Sequence, residues 1–267
     1  MADASGWMEA AAAAVFDPNL AFRPTVSVCI LSHRPEYKAE AEASVRAQTL
    51  WPTGTVEIVS KECPEYWGNK INEVIAGSSG VLVVPLCDDD LLGEPTALEE
   101  WVRVFAEHPT VDFAYSNIWL FGGKDGDREL ELPDWHPVVP TQRCCPWVTA
   151  MYRREVLTTT LYDRAGYDPA LQYWDWDFSK RLGKTGKIGY RVPRCLFHAR
   201  EHDQNGHKQM NHGVAFVKMW SKHDALEGPQ PIRPEFGYPP YEEGRPSVLA
   251  GALLANAPKL PPVRLIA

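Results

Sequence analysis

Short apolar runs alternate along this chain with stretches whose apolar residues recur every three to four positions. Val26–Leu31 (VSVCIL) is a near-continuous apolar run, the pattern of a strand buried on both faces. Pro35 then marks a helix start, and Tyr37, Ala41 and Val45 fall on one helical face. Val56–Val59 predicts a second strand, and Ile71, Val74 and Ile75 a short helix. Val81–Leu86 (VLVVPL), approached through Gly80, predicts a third buried strand. Leu98, Trp101, Val102 and Phe105 repeat at i, i+3, i+4 and i+7 and predict a helix over 96–107. Val111–Trp119 predicts a fourth strand. Further on, Trp147–Tyr152 and Ile188–Val192 read as strands, a helix follows Arg153, and Trp174, Phe178 and Leu182 mark another helix.

Strand alternating with helix argues for an α/β fold with a mostly parallel central sheet flanked by helices. In such a sheet ligands bind beyond the carboxyl ends of the strands. Three of these ends carry polar clusters: Ser32-His33-Arg34, Ser60-Lys61-Glu62 and Asp88-Asp89-Asp90. The pattern divides the 267 residues into an N-terminal helix and linker (1–23), a main domain (24–227) and a Pro-rich tail (228–267). The half of the main domain spanning 24–120 carries the strand-end clusters. The half spanning 121–227 opens on an irregular excursion rich in Gly, Asp and Pro, over 121–140. The tail, with Pro229, Pro231, Pro234, Pro239, Pro240 and Pro246 in close order, reads as an extended C-terminal wrap.

Composition narrows the function classes. Hydrophobic residues at 45% and charged residues at 23% are ordinary for a globular protein. The net charge, 27 − 35 = −8, offers no electrostatic funnel for duplex nucleic acid or anionic lipid. The six cysteines include no CxxC pair, which argues against a zinc ribbon and for reduced structural thiols. The alanine-rich start, Met8 to Val15, lacks a basic leader region, and no apolar stretch approaches the roughly 20 residues of a membrane span. These features predict a cytoplasmic location.

Three carboxylates at a strand end, Asp88-Asp89-Asp90, repel one another unless a cation sits there. Oxygen ligands suit Mg2+ or Mn2+, which would also bridge a diphosphate. The competing reading is a solvated acidic turn before the next helix. Asp175 and Asp177 lie at the start of a helix, where they act as a general base or simply answer the helix dipole. Residues i and i+2 do not share a helix face, so the two carboxylates should diverge. His198, His202 and His207 crowd one polar segment and are candidate metal or phosphate ligands, or structural histidines. Asn69, Lys70 and Asn72 open a helix whose amides and lysine suit phosphate. Trp147 and Trp174 offer faces for a sugar ring, although aromatics more often serve the core.

In order, these clusters resemble the family 2 glycosyltransferases with the GT-A fold. Val26–Glu36 resembles the family's first strand and nucleotide loop, and Ala43–Thr49 its S-V-x-x-Q-T helix end. Asn69–Ile75 is similar to its A-R-N-x-G-I segment, with Asn72 as the matching Asn. Gly80–Leu92 resembles the strand that ends in the metal-binding acidic motif. Met151–Leu157 is similar to R-R-E-V-L, Gly166-Tyr167-Asp168 to G-F-D, Trp174–Asp177 to E-D-x-D, and Arg200-Glu201-His202 to the closing R-x-H. The resemblance covers 25–206.

It implies inverting, metal-dependent transfer of a sugar from a nucleoside diphosphate, usually uridine-linked, with Mn2+ or Mg2+. Asp175 would be the base and Asp89 the main metal ligand, with Asp90 and His202 beside it. Ser32, His33, Arg34, Glu36, Ser60, Asn69, Lys70, Asn72 and Asp88 would meet the nucleotide-sugar, and Trp147, Trp174 and Asp177 the sugar or acceptor. Three departures stand out: Cys87 opens the acidic motif, Ser60-Lys61-Glu62 replaces acidic residues after the second strand, and Trp174 replaces the Glu before Asp175. These departures motivate an alternative, a non-catalytic GT-A module that only binds a nucleotide or glycan. A nucleotidyltransferase is a weaker alternative, since it leaves Asp175 and the closing histidine segment without a role. The acceptor is not legible: a glycan, a protein, a small molecule and a modified nucleic-acid base all remain open.

Overall fold

The computed structural model describes residues 24–50, 55–62, 68–161, 164–203, 205, 208, 211–227 and 265–266. The N-terminal helix and linker expected over 1–23, most of the Pro-rich tail and His207 lie outside the described residues.

The chain begins as expected. β1 (Thr25–Ser32), α1 (Pro35–Arg46), β2 (Thr55–Glu62), α2 (Gly68–Gly77) and β3 (Leu82–Cys87) follow in alternation. Pro35 opens α1, where its missing N–H costs nothing. A short β4 (Leu91–Leu92) precedes α3 (Ala97–Glu107), whose buried residues include Leu98, Trp101, Val102 and Phe105, as the periodicity requires. Then come β5 (Phe113–Phe121), β6 (Arg128–Leu130), β7 (Met151–Arg153) and α4 (Arg154–Thr158). A small hairpin of β8 (Thr160–Leu161) and β9 (Arg164–Ala165) leads to α5 (Trp174–Lys184). β10 (Gly189–Arg200), α6 (His212–Glu227) and β11 (Leu265–Ile266) complete the order.

Among the described residues one sheet runs β11-β6-β5-β7-β3-β1-β2, with β10 pairing β5 and β4. β1 pairs in parallel with β2 and β3, and β10 with β5. β7 is antiparallel to both β3 and β5, so those two run the same way. The five long strands therefore share one direction, and their carboxyl ends gather at one edge. The short strands β4, β6 and β11 pair antiparallel.

One apolar core fills the interior around Val28, Ile30, Val83, Trp101, Phe113 and Phe178. Each such fully buried aliphatic or Phe side chain contributes roughly 1.5–3 kcal/mol relative to exposure. A smaller cluster of Leu171, Tyr173, Trp176, Met219 and Trp220 joins α5 to α6.

Several elements exceed the sequence expectation, among them the short strands β4, β8, β9 and β11. The 121–140 excursion contains β6, and α6 had no predicted counterpart. β10 continues to Arg200, far beyond Val192, across register shifts that absorb Pro193. No helix among the described residues is long and apolar enough to cross a membrane.

Candidate functional site

After β3 the chain turns through Asp88 and Asp89, and Asp90 N closes the turn on Cys87 O at 3.2 Å. Asp88 is fully buried and points at the end of the neighbouring β1. Its Oδ2 accepts the backbone N–H groups of His33, at 2.5 Å, and Arg34. Arg34 Nη1 lies 3.3 Å from Asp88 Oδ1 and 3.0 Å from Asp89 Oδ2. Burial raises the Asp88 pKa, and the amide bonds and the guanidinium pull it back.

Asp89 Oδ2 also meets His202 Nε2, at 2.9 Å. His202 follows β10, so two segments 113 residues apart converge on one oxygen. Donor atoms of Cys87, Asp89 and Asp90 lie within 4.8 Å of one another. Asp90 Oδ1 accepts the Arg200 amide at 2.9 Å, and Arg200 Nε donates to Asp89 O at 3.0 Å. Burial, then the Asp89 charge, pushes the Asp90 pKa well up. Burial and the three neighbouring carboxylates do the same to the Cys87 thiol. A dication would relieve such crowding of acidic groups.

The end of α1 steadies this turn. Ser44 Oγ accepts Leu92 N at 3.1 Å. Gln48 donates to Glu94 O at 2.9 Å and accepts Leu98 N at 3.0 Å. The S-V-x-x-Q-T resemblance thus has a physical content: its Ser and Gln clamp the segment just after the acidic cluster. On the other side Arg128 of β6 grips Glu201, the residue before His202, through bonds of 2.7 and 2.9 Å.

Asp175 sits in the first turn of α5, partly exposed. Its Oδ1 accepts the Trp176 amide at 2.8 Å, and its Oδ2 lies 3.5 Å from Cys144 Sγ. Burial raises its pKa, against these bonds. Asp177 turns the other way and is fully buried. Arg181 Nε (2.9 Å), Lys222 Nζ (2.8 Å) and His223 Nε2 (3.1 Å) surround its carboxylate. Burial alone would raise the Asp177 pKa, but the His223 bond and the Arg181 and Lys222 charges prevail and hold it well below the ordinary range. That burial leaves Asp177 no surface with which to touch a sugar, because positions i and i+2 face opposite sides of a helix.

No protein-family model and no curated protein sequence matches the chain. Solved structures do. S. aureus TarS 1-349 in complex with UDP-GlcNAc superposes with a TM-score of 0.57 at 10% identity, over 76% of this chain and 67% of that one. A further S. aureus TarS chain gives 0.54 at 13% identity, but this chain spans only 40% of its length. The mannosyltransferase PcManGT from Pyrobaculum calidifontis, in complex with GDP-Man and Mn2+, gives 0.55 at 14% identity, over 84% of this chain and 72% of that one. The fold is that of the GT-A glycosyltransferases. At such identities the likeness is one of fold, and function has to be argued from the site.

On the GT-A frame the remaining candidates fall into two groups. Ser32 and Ser60, at the ends of β1 and β2, face the same side of the sheet, two positions apart in register. Each has a buried hydroxyl oxygen that finds no hydrogen-bond partner among the described residues. His33 and Glu36 are exposed beside them. Lys70 pairs with Glu73 at 3.1 Å, and Asn69 lies in α2. Asn72 bonds the backbone of Tyr167 at both ends, donating at 2.8 Å and accepting at 2.9 Å. The G-F-D-like turn requires its glycine: Gly166 has φ +64, and a Cβ there would lie 2.4 Å from Asn72 Oδ1. Trp174 is buried and edge-on to Tyr167 at 4.8 Å, while Trp147 is partly exposed against the core. His198 separates from His202: it packs near Trp119 and Phe121, and burial lowers its pKa. Cys144 is the site residue that sequence reasoning missed, since it belongs to no recognisable motif.

Proposed function

We propose that this protein is an inverting family 2 glycosyltransferase that moves a sugar from a nucleoside diphosphate, uridine-linked, to an acceptor hydroxyl. The contact between His202 and Asp89 carries the reading, because it joins the acidic motif to the closing R-x-H segment on a single oxygen. Asp89, Asp90 and His202 would hold Mn2+ or Mg2+, with Cys87 Sγ lining the same cluster. The fit rests on donor atoms already gathered. Such an ion would supply Lewis-acid stabilisation of the departing diphosphate.

The protein's own groups do the rest. The hydroxyls of Ser32 and Ser60, which have no hydrogen-bond partner among the described residues, would meet the nucleotide at the strand ends. Asp175 takes the proton of the acceptor hydroxyl. Burial raises its pKa, which makes it a stronger base than an exposed carboxylate. The cysteines in the described residues are free, which supports a reducing, cytoplasmic setting.

A thermal-shift screen of nucleotide-sugars with and without Mn2+ tests the proposal. TarS is seen with UDP-GlcNAc and the mannosyltransferase with GDP-Man, so both bases belong in the screen. A donor at 100 times its Kd is expected to stabilise by about 2.7 kcal/mol. No shift with any donor sinks the reading. A shift without hydrolysis or transfer of the bound sugar would instead make the protein a binding module.

A further inference from the structure

The chemistry proposed above does not use Cys144, and yet Cys144 touches Asp175. Its Sγ has two acceptors in sulfur hydrogen-bond reach, Asp175 Oδ2 at 3.5 Å and Pro146 O at 3.6 Å. Pro146 O already receives the Ser179 hydroxyl at 2.9 Å. The carboxylate is also the stronger acceptor, because it is charged. The thiol stays a donor: burial, then the Asp175 charge, push its pKa well up, so it keeps its proton at neutral pH. Asp175 Oδ1 is held separately, by the Trp176 amide. Ser179 Oγ also lies 3.0 Å from Asp175 O and shares its one proton between the two carbonyls, which ties α5 to the Cys144–Pro146 segment along one seam.

We propose that Cys144 is a positioning residue for the base: its S–H donates to Asp175 Oδ2, fixes the rotation of the carboxylate and favours its ionised form. The inference rests on the reading of Asp175 as the base. Two donors, one on each oxygen, leave a free lone pair on Oδ2 to receive the acceptor's proton. A thiol is a weak donor, so its effect on the base is small in size and definite in sign.

Cys144→Ala removes the donor, and Cys144→Ser supplies another. In the full chain without donor substrate, carbon NMR follows the Asp175 carboxyl as pH changes. It is expected to titrate roughly half a unit higher in Cys144→Ala than in the unaltered protein, with Cys144→Ser in between. The acidic limb of the kcat profile should move to higher pH by the same amount, a roughly threefold loss below the limb, with the KM for donor unchanged. Should Cys144→Ala fail to fold, Cys144→Val serves as the variant without a donor. An unshifted Asp175 titration in a folded variant overturns the proposal, whatever activity does. A shifted titration in a protein that transfers no sugar upholds the hydrogen bond and overturns the catalytic reading of Asp175.

Discussion

Asp89 receives Arg34 and His202 on the same oxygen, so it links the end of β1 to the segment after β10. Asp89→Ala is expected to abolish Mn2+-dependent UDP binding in calorimetry, and unchanged binding would remove it as the metal ligand. Asp175 predicts a different loss. Asp175→Asn should bind donor normally and transfer sugar roughly 100- to 10,000-fold more slowly, the usual worth of a positioned base. A base whose pKa is raised must lose activity on acidification at a higher pH than an ordinary carboxylate, near 4. The acidic limb of the kcat profile is therefore expected above that of an ordinary carboxylate, and a limb at or below pH 4 would contradict the burial argument.

At the scale of elements, the Asp177 cluster joins α5 to α6. Arg181 lies on α5 with Asp177, while Lys222 and His223 come from α6, and Lys222 reaches on to Asp168 at 3.1 Å. Asp177→Asn leaves buried cations without their anion and should destabilise the protein by about 3–5 kcal/mol in chemical denaturation. The sign of its pH dependence follows from the lowered pKa. Asp177 contributes its full stability above the unfolded carboxylate value of about 4, and that contribution is lost as pH falls toward the depressed native value. Acid unfolding should thus be less steep in the Asn variant. Equal steepness in the two proteins would count against the network.

Over the whole molecule, the site is assembled from the ends of separate elements rather than from any one of them. β1 brings Arg34, β3 the acidic turn, β10 His202, and α5 Asp175. A donor and a cation bound across these ends would cross-link elements far apart in sequence. Stabilisation by donor is accordingly expected to shrink when Mn2+ is withheld in the thermal-shift screen.

The sequence by itself determined the alternation of strands and helices, because buried strands and amphipathic helices write their periods directly into the apolar pattern. It also placed the chemistry-bearing residues at strand ends and at a helix start. α6 was not legible, since its helix carries little apolar periodicity, and the continuation of β10 beyond Val192 was hidden by Pro193 and by residues only partly buried. Tertiary structure alone decided the partners. The divergence of Asp175 and Asp177 follows from helix geometry, but which of them is buried depends on Lys222 and His223, which α6 supplies. The meeting of Asp89 with His202, and of Cys144 with Asp175, spans 113 and 31 positions. Contacts at such separations leave no trace in local pattern, because only the packing of distant elements brings their atoms into reach.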